Sequence, residues 1–299
     1  MLLSQKDSWS SKDMRLTVAF DLDFSLCCGQ VFRWQKIGDT WYGVVGETVL
    51  KIRQVGNELE FEGAKEEFVR HYFGLNDDLA QIRQCVAKDF FIKKALEQYE
   101  GLRLIRQDPW SCLIGFICSA YKNITAIEQM LRKLSEKYGK KYVFDGKEFY
   151  LFPTTESLAS ASESGLMECG LGYRAKYVQL TARKILEEKI DLHTLKAMSY
   201  LDARKQLLEF YGVGLKVADC VLLFSLEKFE AFPVDVWVKR VILNHYTDQL
   251  PPEMVRKMQS HNSLTNGEYL KIGEFARGYF GRYAGYAQEY LYHYERTQR

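Results

Sequence analysis

Between Leu16 and Glu62 apolar and polar residues alternate in short runs separated by Gly, Asp or Asn: VAFDLDF, GQVFRW, TWYGVV, TVLKIRQ and ELEFEG. A period of two broken by turn residues predicts short antiparallel strands. After Lys65 the spacing lengthens, and EEFVRHYFGL, DLAQIRQCVAKD and FFIKKALEQYE place apolar residues three and four apart, as helices with one buried face do. Asp108-Pro109 then opens the stretch PWSCLIGFICSAYKNITAIEQMLRKLSEKYG, with proline in the position that begins a helix. The remainder to Arg299 reads as mostly helical, broken at Gly170–Tyr173, Tyr211–Gly214, Pro233, Pro251-Pro252 and Gly281–Gly285. Strands followed by helices predict an α+β chain: an N-terminal antiparallel β-sheet domain with helices over residues 1–105, then an all-α domain over 106–299.

Composition narrows the class without choosing a function. With 299 residues, 47% apolar and 27% charged, the chain is globular and long enough to bury one large core or two smaller ones without disulfides. Collagen-like, mucin-like and disordered readings are excluded. The net charge of +2 is too small to announce nucleic-acid binding, although residues 1–100 carry 13 basic and 16 acidic side chains, so the basic excess lies in the later part. The N-terminus lacks an apolar secretion segment and no run of about 18 apolar residues occurs, which predicts an intracellular protein without membrane contact, in the cytoplasm and nucleoid of a prokaryote or the nucleus of a eukaryote. Seven irregularly spaced cysteines with no CxxC pair, and five histidines without ligand spacing, predict reduced thiols and chemistry without a metal or other cofactor.

The candidate chemistry lies in residues 207–242. An apolar helix, a turn at Gly212–Gly214 and a second helix starting at Leu215 would expose backbone N–H groups where the helix dipole favours a phosphate oxygen. A plain helix connection is the other reading of such a turn. Lys216 stands at the start of the second helix, where the field disfavours a cation and raises the fraction of neutral, nucleophilic amine. Asp235 follows within Pro233-Val234-Asp235-Val236, at the entry of another helix, as an N-cap or as a carboxylate with work to do.

Tyr211-Gly212-Val213-Gly214-Leu215-Lys216, followed by Pro233-Val234-Asp235, closely resembles the helix-hairpin-helix, Gly/Pro-Asp superfamily of DNA glycosylases, and within it the 8-oxoguanine DNA glycosylase family. Further blocks match in the same order: Gly29-Gln30-Val31-Phe32-Arg33-Trp34, Arg106-Gln107-Asp108-Pro109, Phe116-Ile117-Cys118-Ser119, Gly170 to Tyr177, and Tyr283 to Gln288. The resemblance spans about residues 15–295 and makes the second domain a helix-hairpin-helix catalytic domain. It implies a bifunctional enzyme that extrudes 8-oxoguanine from duplex DNA, with no cofactor and as a monomer. Lys216 would attack C1′ to give a Schiff base, allowing β-elimination, and Asp235 would stabilise the developing cation.

By the same resemblance the main-chain oxygen of Gly29 would read N7–H of the lesion, Gln288 its Watson–Crick edge, and Tyr292 would stack on the base. Cys220 would line the pocket, or be a buried inert thiol. Gly212, Gly214 and Val217 would hold the backbone; Tyr173 and Arg174 would form a wedge and a reader of the orphaned cytosine. Tyr121 and Asn123 fall where the family often has asparagines, and put an aromatic at the vacated stack. A family arginine that contacts the opposite cytosine is Ala126 here, which predicts weaker opposite-base discrimination. A family histidine that contacts phosphate is Trp237. The run Arg132-Lys133 to Lys140-Lys141 is a DNA-facing strip or a solvated helix end. Competing readings are a non-catalytic helix-hairpin-helix DNA-binding module and a monofunctional alkylated-base glycosylase.

Overall fold

The computed structural model describes residues 14–261 and 263–298. Five strands, β1 (Met14–Thr17), β2 (Trp34–Ile37), β3 (Thr40–Val45), β4 (Thr48–Val55) and β5 (Glu58–Glu62), form one antiparallel sheet in the order β1-β5-β4-β3-β2. Register places Trp41 opposite Ile52 and Ile52 opposite Phe61, so one face gathers Leu16, Trp41, Leu50, Ile52, Leu59 and Phe61 into a core closed by Val69, Tyr72 and Phe73.

The period-two run VAFDLDF is not a strand throughout. Asp21 accepts the N–H of Phe24 at 2.7 Å and starts a helix, Leu22–Cys27, that buries Leu22 and Leu26. A side-chain cap there overrides the alternating pattern. GQVFRW is likewise strand only at its end; Gly29 to Arg33 form a connecting segment. The fully buried amide of Gln30 holds that segment: Nε2 donates to the Arg103 carbonyl at 2.8 Å, and Oε1 accepts from Ile105 N–H at 2.7 Å.

A two-stranded hairpin, β6 (Lys141–Phe144) and β7 (Lys147–Tyr150), interrupts the region expected to be helical. Its tip, Asp145-Gly146, takes positive φ at both residues, the backbone that an Asp-Gly hairpin turn supplies. The hairpin covers the other face of the sheet, where Tyr42 stacks on Phe149 and Asp145 pairs with the buried Lys51 at 3.1 Å.

Helices Leu79–Val86 and Phe90–Gln98 pack into the larger, helical core, so apolar packing crosses the sequence division at 105/106. The expected entry at Asp108 is present: its carboxylate caps Pro109–Ser119 by accepting from Ser111 N–H. That helix packs against Leu215–Ser225, with Phe116 stacked on Phe224. The helix Ala284–Thr297 returns across the helical core; Tyr286 donates to Asp77 at 3.0 Å and Tyr290 to the Leu102 carbonyl at 2.9 Å. Gly285 lets it approach: its N–H donates to the Phe229 carbonyl at 2.7 Å, and a Cβ would run into Leu223 and lie 2.8 Å from the Ala231 carbonyl. Backbone cannot yield as a side chain can, so Gly285→Ala is expected to cost about 2 kcal/mol in denaturant unfolding. A variant as stable as wild type contradicts this close approach.

Candidate active site

The hairpin turn forms as its glycines require. Gly212 has φ +76°, and a Cβ on it would sit 2.7 Å from the Tyr177 ring. Gly214 is the N-cap of Leu215–Ser225, with no side chain bonded to the first N–H groups of that helix. They stay available to an anion at the positive end of the dipole. Lys216 is in the first turn; Nζ donates to Ser119 Oγ at 3.1 Å and lies 5.2 Å from the centre of the Phe116 ring.

Asp235 caps Val236–His245, its Oδ1 accepting the N–H groups of Trp237 and Val238, both at 2.9 Å. The N-cap and functional-carboxylate readings are therefore compatible, because one oxygen serves the cap and the other does not. Burial pushes its carboxyl above the ordinary range, opposed by the Val238 N–H, the charge of Lys216 and the Trp237 N–H. Lys216 and Asp235 face one cavity of about 700 Å³ lined by both. That size suits a bound small molecule or base.

The same cavity collects Gly29, Tyr121, Asn123, Gly212, Gly214, Val217, Cys220, Trp237, Gln288 and Tyr292. Gly29 has φ +103°, a backbone conformation that favours glycine, and a Cβ there would press on the Tyr292 hydroxyl at 3.2 Å. Gln288 is 4% exposed and its Oε1 has no hydrogen-bond partner. Burial pushes the Cys220 thiol up to about 12, against the effect of Lys216, so it is a neutral lining group. Asn123 also caps Ile124–Tyr138 by accepting from Ala126 N–H. Tyr121 stands at the rim, 93% exposed and at φ +54°. An aromatic held in left-handed backbone carries local strain that the surrounding fold offsets, a feature that clusters at functional sites.

Two expected residues lie outside this lining. Tyr173 is exposed and meets Tyr177 edge-on, continuing the surface of the hairpin turn. Arg174 departs from the expected surface reader: it is 4% exposed, its guanidinium donating to the carbonyls of Ala120 and Leu171. In this conformation it braces the turn that carries Tyr121. Trp237 carries the Arg240 guanidinium over its ring at 5.0 Å. Within the basic run, Arg132 pairs with Glu136 one turn along its helix, and Lys141, on β6, pairs with Glu148 on β7, as solvated surface charges do.

Ser119 and Glu289 also line the cavity and were not singled out by spacing. Ser119 is 97 residues from the lysine it contacts, and no local pattern reveals such a pair. Among the described residues no group of three or more His, Cys, Asp or Glu could hold a metal ion.

Comparison with known proteins gives two family matches: the N-terminal domain of 8-oxoguanine DNA glycosylase over residues 13–113, and the HhH-GPD superfamily base excision DNA repair protein over residues 114–260. An N-glycosylase/DNA lyase of Saccharomyces cerevisiae is 32% identical, covering 89% of this chain and 81% of its own. The 8-oxoguanine glycosylase/lyase of Clostridium acetobutylicum in its apo form is 34% identical with a TM-score of 0.82, over 93% of this chain and 94% of that one. The same enzyme in complex with dsDNA containing cytosine opposite to 8-oxoG superposes with a TM-score of 0.84 at 32% identity, over 96% and 98% of the two chains.

Proposed function

The chain belongs to the 8-oxoguanine DNA glycosylase family of the HhH-GPD superfamily, and from that membership we propose how its cavity removes 8-oxoguanine from duplex DNA and cleaves the resulting abasic site. The observation that carries the assignment of residues is the convergence of Lys216, Asp235, Gly29 and Gln288 on one cavity large enough to admit a purine, beside an uncapped helix N-terminus.

The duplex backbone docks on the N–H groups after Gly214, and the lesion nucleotide turns into the cavity. Tyr121 fills the space it leaves and Tyr173 props the stack apart. The Gly29 carbonyl accepts the N7–H that 8-oxoguanine has and guanine lacks; guanine would bring a lone pair against it. The lone pair on Lys216 Nζ attacks C1′, the C1′–N9 bond breaks, and its electrons leave with the base, which takes up a proton. The uncommitted oxygen of Asp235 stabilises the positive charge on the sugar. Ring opening gives a Schiff base, and loss of a C2′ proton expels the 3′ phosphate. The enzyme works as a monomer inside the cell.

Borohydride trapping tests this reading. The wild-type chain is expected to be trapped on duplex containing 8-oxoguanine and not on undamaged duplex; release of alkylated adenine without 8-oxoguanine supports the alkylated-base alternative, and lesion-blind binding without cleavage supports a binding module. With Ala126 in place of a donor and Arg174 turned inward, the preference for cytosine opposite the lesion falls by about tenfold relative to an enzyme with both contacts. Single-turnover release opposite each of the four bases measures it. A preference for cytosine above about a hundredfold contradicts it.

A further inference from the structure

Glu289 is a buried acid that the mechanism above leaves unused. It is 2% exposed, lines the same cavity as Lys216 and Asp235, and its Oε1 has no hydrogen-bond partner. Leaving a buried carboxyl oxygen unpaired costs stability, so folding alone gives no reason for it. Its neighbours tie it to both reading groups. It follows Gln288 directly on the helix Ala284–Thr297, and its carboxyl interacts with the thiol of Cys28, the residue that precedes Gly29.

The chemistry of the base identifies what such a group would meet, given the substrate read above. On 8-oxoguanine, O6 lies between N7–H, assigned to Gly29, and the N1/N2 edge, assigned to Gln288. O6 is an acceptor and needs a donor. We infer that Glu289, as the neutral carboxylic acid, donates a hydrogen bond to O6 of the extruded base. Electrons released from the breaking C1′–N9 bond spread through the ring to O6, so the same bond strengthens as the base departs. A carboxylate there would instead repel O6. An exocyclic amino group in place of O6 would present a donor to a donor.

Burial raises the Glu289 carboxyl to about 7; the Cys28 thiol and Arg296 oppose this and Asp235 adds to it. The other titratable groups around it are Cys220, Tyr292 and Lys216. The acid form is present below that value and is lost as pH rises through it, so the donor disappears on the alkaline side.

The test is single-turnover release of 8-oxoguanine between pH 5.5 and 9 by wild type, Glu289→Gln and Glu289→Ala, with cleavage of a preformed abasic site measured alongside. Glu289→Gln keeps a donor at every pH and is expected to retain release while losing the alkaline fall near neutrality. Glu289→Ala is expected to lower release by about tenfold at pH 6. Both variants are expected to cleave abasic sites as wild type does, since no base occupies the pocket in that reaction. Unchanged 8-oxoguanine release in both variants overturns the proposal, and so does an equal loss on abasic sites, which marks a structural role. A wild type that cleaves abasic sites but releases no 8-oxoguanine overturns the substrate reading, and this proposal with it.

Discussion

Replacing Lys216 by glutamine is expected to abolish the borohydride-trapped adduct and to lower 8-oxoguanine release by at least about 10⁴-fold, the scale on which loss of a nucleophile acts. The substitution is mild for the fold. Glutamine is of similar length and can donate to Ser119 Oγ as the lysine does, and it suits a helix nearly as well. What it lacks is an amine able to form a bond to C1′. DNA affinity should therefore stay close to wild type, because the hairpin N–H groups that meet the phosphates are backbone. An adduct that persists in Lys216→Gln assigns the nucleophile to another residue.

Asp235→Asn is the second large effect, expected to lower release by about 10²- to 10³-fold, comparable to removing one preorganised charge-stabilising group. Asparagine is as good an N-cap as aspartate, so the bonds to Trp237 and Val238 N–H survive and the melting temperature should hardly move. The negative charge is what disappears. In wild type the raised carboxyl is ionised above its shifted pKa and protonated below it. Activity is thus expected to fall as the solution is acidified, at a higher pH than an ordinary aspartate would impose. Flat activity through that range, or full release by the asparagine variant, excludes the electrostatic role.

These effects could be placed from sequence because helix punctuation is local. Asp108-Pro109 and Pro233-Val234-Asp235 announce caps through residue types within four positions, and both caps form. Gly212 similarly marks a turn that only glycine makes without strain. The failures also have local causes. In VAFDLDF the alternating pattern and the capping power of Asp21 point to different structures, and the cap prevails. The Asp145-Gly146 hairpin carried its own turn signal, but it lies inside a stretch whose overall period reads as helix.

Beyond Lys216, Asp235 and the glycine turn, the site was legible only through resemblance. Gly29 and Tyr292 meet from nearly opposite ends of the chain, and Ser119 reaches Lys216 across 97 residues. No window of sequence contains such a pair. Arg174 exposes a different limit, because residue type fixes what a side chain can bind and not whether it faces solvent.

The helix Ala284–Thr297 buries its apolar side chains in the helical core while presenting Gln288 to the cavity. Nucleophile and edge reader are thus carried on two different helices of one core. If that helix frays while Leu215–Ser225 holds, the chain keeps its grip on phosphates and its reactive amine but loses the group that reads the Watson–Crick edge, while the Gly29 carbonyl, on a different segment, still separates damaged guanine from sound. Choosing the edge of the base and holding the backbone are in this design tasks of two different helices.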